Sequence, residues 1–185
     1  MIDDVLKESK EKMKASVDAL QEDLSAIRTG RASPALVEKL SVQYYDQATP
    51  LMQLATISVP EPRQLLIRPF EATSIGEIEK AIQVSDLGLN PNNDGKVIRL
   101  TLPALTEERR VDLVKIVQSR LEGARISIRN SRRDAIKDLR DMEEEKSISA
   151  DDLHRGEEEA QKMTDEHINH IDILGESKEK EVMEV

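Results

Sequence analysis

At 185 residues, with 27 Lys/Arg against 37 Asp/Glu and a formal net charge of −10, the chain is long enough to bury a core in one or two domains. It has no cysteine and only three aromatic residues, Tyr44, Tyr45 and Phe70, which excludes a disulfide framework, a thiolate metal site and a cysteine nucleophile. No apolar run approaches the roughly 20 residues that span a bilayer, and the acidic, amphipathic start does not resemble a signal peptide. The expectation is therefore a soluble, intracellular protein with no membrane partner, taken as cytoplasmic and monomeric.

Residues 3–29 predict a helix, because Leu6, Met13, Val17, Leu20, Leu24 and Ile27 alternate three and four apart, with Lys10 interrupting the seam. From about residue 31 the pattern changes to β-branched and aromatic runs punctuated by Pro, Gly and Asn. Residues 37–45, 54–59, 64–70 and 97–102 predict strands. Ser74 with Glu77 predicts a capping box for a short helix reaching Val84, and Asp86 to Lys96 a loop. Helical spacing returns over 107–145 through Val114, Val117, Leu121, Ala124, Ile128, Ala135, Leu139 and Met142, with Ser131 the polar exception and Thr106 the expected N-cap. A third stripe, Leu153, Ala160, Met163, Ile171 and Leu174, starts at an N-cap Ser149 and extends to about Val182, with Gly175 expected to loosen its last turns. Three such helices can bury their stripes only against one another. The fold class expected is α+β: an elongated antiparallel three-helix bundle (1–30 plus 105–185) carrying an inserted β/α/β domain (31–104).

Charge is divided unevenly. Between Arg109 and Arg140 there are ten Lys/Arg against four Asp/Glu, whereas residues 141–185 carry five against sixteen. Because charges beyond about 8 Å are largely screened at physiological salt, a local cationic rod can meet nucleic acid in spite of an acidic total. On the second long helix Arg125, Arg129, Arg132, Arg133 and Arg140 project within an arc of roughly 100°, beside the apolar seam. Guanidiniums suit RNA because their planar fork bonds phosphate oxygens bidentately. The same row could instead pair with the acidic final helix, and both arrangements can coexist. The basic helix carries no aromatic residue on which bases could stack, so phosphate and shape contacts are favoured over single-strand reading. An adaptor whose basic helix docks an acidic protein is the alternative.

Other features have plainer explanations. Gly30 predicts a left-handed C-cap for the first helix; Arg28 and Arg31 beside it have no packing reason to be there. Asn90 to Gly95 resembles a calcium loop only faintly, since the twelfth position is Thr101 and a strand follows. His167 and His170 lie three apart on a helix without a third ligand at fitting spacing. No nucleophile elbow, Gly-rich phosphate loop or zincin motif is present. Neither an enzyme nor a metal or cofactor is expected.

Four segments together carry a resemblance: Arg28-Thr29-Gly30-Arg31-Ala32-Ser33-Pro34; Asp86-Leu87-Gly88-Leu89-Asn90-Pro91; Leu102-Pro103 with Leu105-Thr106-Glu107-Glu108-Arg109-Arg110; and Arg129-Asn130 with Arg132-Arg133. In this order and spacing, over essentially the whole chain, the sequence resembles the bacterial ribosome recycling factor family. The resemblance implies an L-shaped, non-enzymatic translation factor that binds the ribosome after termination and acts with the GTPase elongation factor G to separate the subunits. It implies ribosome contacts, to large-subunit rRNA, from Arg110, Arg125, Arg129, Arg132, Arg133 and Arg140, with Arg28 and Arg31 directed to the peptidyl-transferase region. It further implies a hinge at Gly30, Arg31 and Ala32 and at Leu102, Pro103, Ala104, Leu105 and Thr106, with the inserted domain facing elongation factor G. Ser131 and Gly175 depart from the family's usual residues.

Overall fold

A computed structural model describes residues 1–184. The chain forms two compact units: Met1–Arg28 with Glu107–Glu184, and Thr29–Thr106. The first is built from α1 (Ile2–Ala26), and the second interrupts the chain between α1 and the two long helices.

In the second unit, β1 (Ser41–Tyr44) and β2 (Gln47–Pro50) form an antiparallel hairpin. Its two turn residues, Tyr45 and Asp46, have φ of 47° and 61°, the left-handed pair that matches the twist of the flanking strands. A separate antiparallel sheet runs in the order β3-β4-β6-β5, with β3 Ala55–Glu61, β4 Gln64–Pro69, β5 Pro91–Asn93 and β6 Ile98–Thr101. Period-two alternation points Leu65 and Ile67 of β4 inward together with Ile98 and Leu100 of β6. They meet Ile78 and Ile82 of α2 (Ile75–Val84), and Val37, Val42 and Leu51, all fully buried, complete this core.

Three sequence expectations change here. Residues 37–40 are not strand: Pro34 opens a one-turn 3₁₀ segment, and the Val37 and Leu40 amides close tight bonds to the carbonyls of Pro34 and Val37. β5 occupies part of the expected 86–96 loop; as an edge strand it tolerates Pro91 and needs no apolar run. The Ser74/Glu77 capping box does not form, because a 3₁₀ turn over Ala72–Ser74 already holds Ser74 helical and its hydroxyl donates to the Glu71 carbonyl at 2.8 Å.

In the first unit, α3 (Glu107–Glu144) and α4 (Ala150–Glu184) pack on each other and on α1. At 1.5 Å per residue α3 is about 57 Å long. Its seam of Leu113, Val117, Leu121, Ile128, Ala135 and Leu139 is buried, with Leu113 taking the inward position expected of Val114. Met13, Val17, Leu20 and Leu24 of α1 and Met163 and Ile171 of α4 close the core. The seam of α1 passes through buried Ser9 rather than stopping at Lys10; its hydroxyl donates to the Ser131 carbonyl at 3.3 Å, and Ser16 meets Ser127 at 2.8 Å. Those pairings run in opposite chain directions, so α1 and α3 are antiparallel.

The α3–α4 turn is a Schellman motif. The Ser147 and Lys146 amides bond the carbonyls of Met142 and Glu143, with Lys146 at φ 57° where glycine is usual. Ser149 then caps α4, accepting from the Asp152 amide at 3.1 Å while Asp152 accepts from the Ser149 amide at 3.4 Å. Two further expectations are corrected. Gly30 is not the C-cap of α1, which ends at an extended Ile27, although its φ is 77°. Gly175 does not loosen α4: it is buried within an unbroken helix.

Candidate nucleic-acid interface

With the seam of α3 turned into the bundle, the helix must present its other side outward. The five arginines flank the seam, and their partners divide them. Arg125 reaches α4, with Nη2 2.5 Å and Nε 3.1 Å from Asp172 Oδ1, and lies 3.5 Å from Glu122. The Asp172 hydrogen bond raises its pKa. Arg140 likewise holds Glu157 of α4 through Nε at 2.9 Å and Nη2 at 2.8 Å. Arg129 stays on its own helix, 2.9 Å from Glu122 Oε1, and that hydrogen bond is the main reason the Glu122 carboxyl ionises below its usual range.

Arg132 and Arg133 differ. Arg132 donates at 2.6 Å to the side-chain oxygen of Gln161, which passes the contact to Asp165 at 2.8 Å. Arg133 donates at 3.2 Å to Asn130 Oδ1. Both acceptors are neutral, and among the described residues neither guanidinium enters an ion pair. The acidic helix thus compensates two members of the row, Glu122 a third, and two cations keep their full charge. Of the two arrangements open at the level of sequence, pairing with the acidic final helix is formed by Arg125 and Arg140. Exposed pairs of this kind contribute about 1 kcal/mol or less each, so phosphate could displace them.

Ile126, Arg129, Asn130, Arg132, Arg133, Ile136 and Arg140 line one open groove of about 470 Å³ on α3. Ile126 is 48 % exposed although the seam offers buried positions on either side of it. A second open groove, about 480 Å³ between α1 and α3, offers Arg120, already 3.9 Å from Asp23. The arginine groove therefore holds the convergent uncompensated charge. Sequence reasoning passed over Ile126 and Gln161 and noted Asn130 only as part of a motif. Ile126 could have been found as an apolar residue off the seam; Gln161 belongs to another helix and left no local signal.

The remaining candidates are dispersed. Arg110 donates at 2.6 Å to the Met183 carbonyl, satisfying one of the orphan acceptors at the end of α4. Arg28 closes the first unit and Arg31 lies in the second; both side chains are exposed. The hinge candidates all belong to the second unit. A Cβ on Gly30 would meet Leu105 Cγ at 3.2 Å and the Pro103 carbonyl at 3.6 Å, so the two connecting segments touch there. Ala32 and Leu102 are core residues, their amides bound to the carbonyls of Pro62 at 2.7 Å and Arg63 at 2.8 Å. Among the described residues no three His, Asp or Glu side chains gather as a metal site, and His167 Nδ1 sits 2.7 Å from the Met163 carbonyl. Among the described residues no helix is long and apolar enough to cross a membrane.

Comparison with known proteins agrees over nearly the whole length. The profile of the family described as "Ribosome recycling factor" matches residues 20–183. The chain is 56 % identical to the ribosome-recycling factor of Chloroflexus aurantiacus and 49 % identical to that of Bacillus subtilis, each over 185 residues and all of both chains. A solution structure of a ribosome recycling factor, 44 % identical, superposes with a TM-score of 0.76, covering 100 % of this chain and 98 % of that one. A second match, 43 % identical with a TM-score of 0.65 and 99 % coverage of both chains, comes from a structure described as models for the T. thermophilus ribosome recycling factor and the E. coli elongation factor G bound to the E. coli post-termination complex.

Proposed function

The chain belongs to the ribosome recycling factor family, and on that premise we propose that it binds the post-termination ribosome and, with elongation factor G and GTP, promotes separation of the subunits. The chain is the non-enzymatic partner in this reading, and the hydrolysis belongs to the GTPase. The bundle acts as a stiff rod anchored to large-subunit rRNA through the outer face of α3. Arg132 and Arg133 are the principal anchors, and Arg125, Arg129, Arg140 and Arg110 join where phosphate competes with their present partners. The observation that carries the RNA-facing part is the pair of guanidiniums bonded only to neutral amide oxygens beside an open groove.

Arg28 and Arg31 are directed to the peptidyl-transferase region, and the second unit faces elongation factor G. The pivot is placed at Gly30, Arg31 and Ala32 and at Leu102, Pro103, Ala104, Leu105 and Thr106, with the bonds of Ala32 to Pro62 and Leu102 to Arg63 tying its inner ends to the second unit. A motor acting on that unit would then load the rod without breaking the phosphate contacts. The protein works in the cytoplasm as a monomer.

The test is light scattering of post-termination ribosomes given this protein, elongation factor G and GTP, with each omitted in turn. Splitting that needs all three is expected. Splitting, or GTP hydrolysis, by the chain alone would refute the assignment. Binding to an acidic protein but not to ribosomes would favour the adaptor.

A further inference from the structure

Phosphate contacts alone do not account for Ile126. Three branched residues of α3, Val111, Ile116 and Ile126, stand exposed, and Ile126 is the one set among guanidiniums in the groove. Its neighbours on the same face are Arg129 three residues on, Asn130 four on and Arg133 seven on. These four side chains share one groove. Asn130 accepts from Arg133 through Oδ1, which turns its amino group, Nδ2, into the donor left for an incoming ligand. The cluster combines an apolar floor, one neutral hydrogen-bond donor and two cations. A bare phosphate backbone would use the cations and waste the rest.

We propose that the Ile126–Arg133 end of this groove receives one unstacked nucleobase of the RNA. The base lies on Ile126, an edge acceptor (a ring nitrogen or a carbonyl oxygen) takes the Asn130 Nδ2 proton, and Arg129 and Arg133 hold the flanking phosphates. Arg133, without a carboxylate partner among the described residues, and Arg129, once phosphate displaces Glu122, favour a polyanion as the occupant, and the apolar floor beside one neutral donor suits a base edge. Ile136, ten residues further on, is about 15 Å away along the helix and cannot be covered by the same base. The inference rests on the proposed ribosome docking and adds to it a contact that carries no net charge.

That difference supplies the test. Association of the full-length protein with purified large ribosomal subunits is measured over a potassium chloride series for the wild type, Ile126→Ser, Asn130→Ala, Arg132→Ala and Arg133→Ala. Circular dichroism confirms that each variant keeps its helicity, and base-specific chemical probing of the rRNA accompanies the binding. Ile126→Ser should weaken binding about five- to tenfold, the change expected for losing the burial of the exposed half of a branched side chain, at every salt concentration and with an unchanged log–log slope. Asn130→Ala should do the same to a smaller degree. Arg133→Ala should instead flatten the slope by about one unit. One base protected by the wild type should regain reactivity with Ile126→Ser. If Arg132→Ala and Arg133→Ala weaken binding while Ile126→Ser and Asn130→Ala match the wild type, the base slot is wrong and the docking stands. If Ile126→Ser weakens binding but no base changes reactivity, the floor meets a ribosomal protein, and the slot is again wrong. Failure of the wild type to bind, or binding indifferent to salt and to both arginines, would remove the docking itself.

Discussion

Gly175 of α4 lies against Leu121 of α3 so closely that a Cβ at position 175 would collide with the leucine's Cδ1 and crowd its Cγ at 3.3 Å. Gly156 repeats the arrangement against Leu139, whose Cδ1 would be 2.8 Å from an added Cβ. Both leucines are buried seam residues of α3, and together the two glycines bring α4 close along most of its length. Gly175→Ala gains up to about 1 kcal/mol of helix propensity but overpacks a site that costs about 1–3 kcal/mol. The expected outcome is a net loss of stability in urea unfolding, and Gly175→Ala should cost less in a Leu121→Ala background, itself destabilised, than in the wild type. A more stable Gly175→Ala protein would contradict this packing.

The arginine row predicts a separation of binding from stability. Arg132→Ala should weaken ribosome binding and recycling while leaving helicity and melting nearly unchanged, because its acceptor is the exposed, neutral Gln161. Arg125→Ala should show the reverse balance. Its bond to Asp172 joins α3 to α4, and losing a partly exposed pair of this kind should lower stability by about 1 kcal/mol or less. Normal binding by Arg132→Ala would make this face structural.

Asp94 makes the second unit sensitive to acid. Its carboxylate accepts from the amides of Val97 at 2.9 Å and Lys96 at 3.0 Å and from Arg99 at 2.8 Å. Those bonds, the backbone pair first, hold its pKa down at about 2. A depressed folded-state value means the contribution is complete above the ordinary carboxylate range and is lost as pH falls toward 2. Protection of the Lys96 and Val97 amides, relative to intrinsic exchange at each pH, should therefore fall between about pH 4 and pH 2. Asp94→Asn should remove most of that dependence and Arg99→Gln less of it.

Tyr44 predicts the opposite edge of the pH range. Its hydroxyl donates to Glu71 at 2.8 Å, and ionisation would sacrifice that bond and set a phenolate beside a carboxylate. The hydrogen bond, then burial, then the Glu71 charge push the phenol up to about 12. In a Tyr45→Phe background, phenolate absorbance should appear near pH 12, and Glu71→Gln should bring it down toward the ordinary value. Because the raised value favours the neutral form in the folded state, this contact stabilises the protein below about pH 10 and loses its effect as pH climbs through 12.

Much of the architecture is written locally. Met13, Val17, Leu20 and Leu24, or Val117, Leu121 and Ile128, declare their helices because the 3.6-residue period that buries them is a property of consecutive residues. The same arithmetic puts the arginines on one side of α3. Contacts between elements follow another logic. Nothing near Gly175 announces Leu121, 54 positions away in the chain, and nothing near Arg125 announces Asp172. β2 and β5 stayed hidden because a hairpin return and a sheet edge are held by backbone hydrogen bonds, which any side chain permits. Whether an arginine is neutralised depends on which carboxylate a neighbouring helix brings within about 4 Å, and packing decides that after the periodicity has been satisfied. Composition and spacing alone thus established a cationic helix on an acidic protein; the three-dimensional arrangement selected Arg132 and Arg133 as the members of the five-arginine row it leaves without a carboxylate partner.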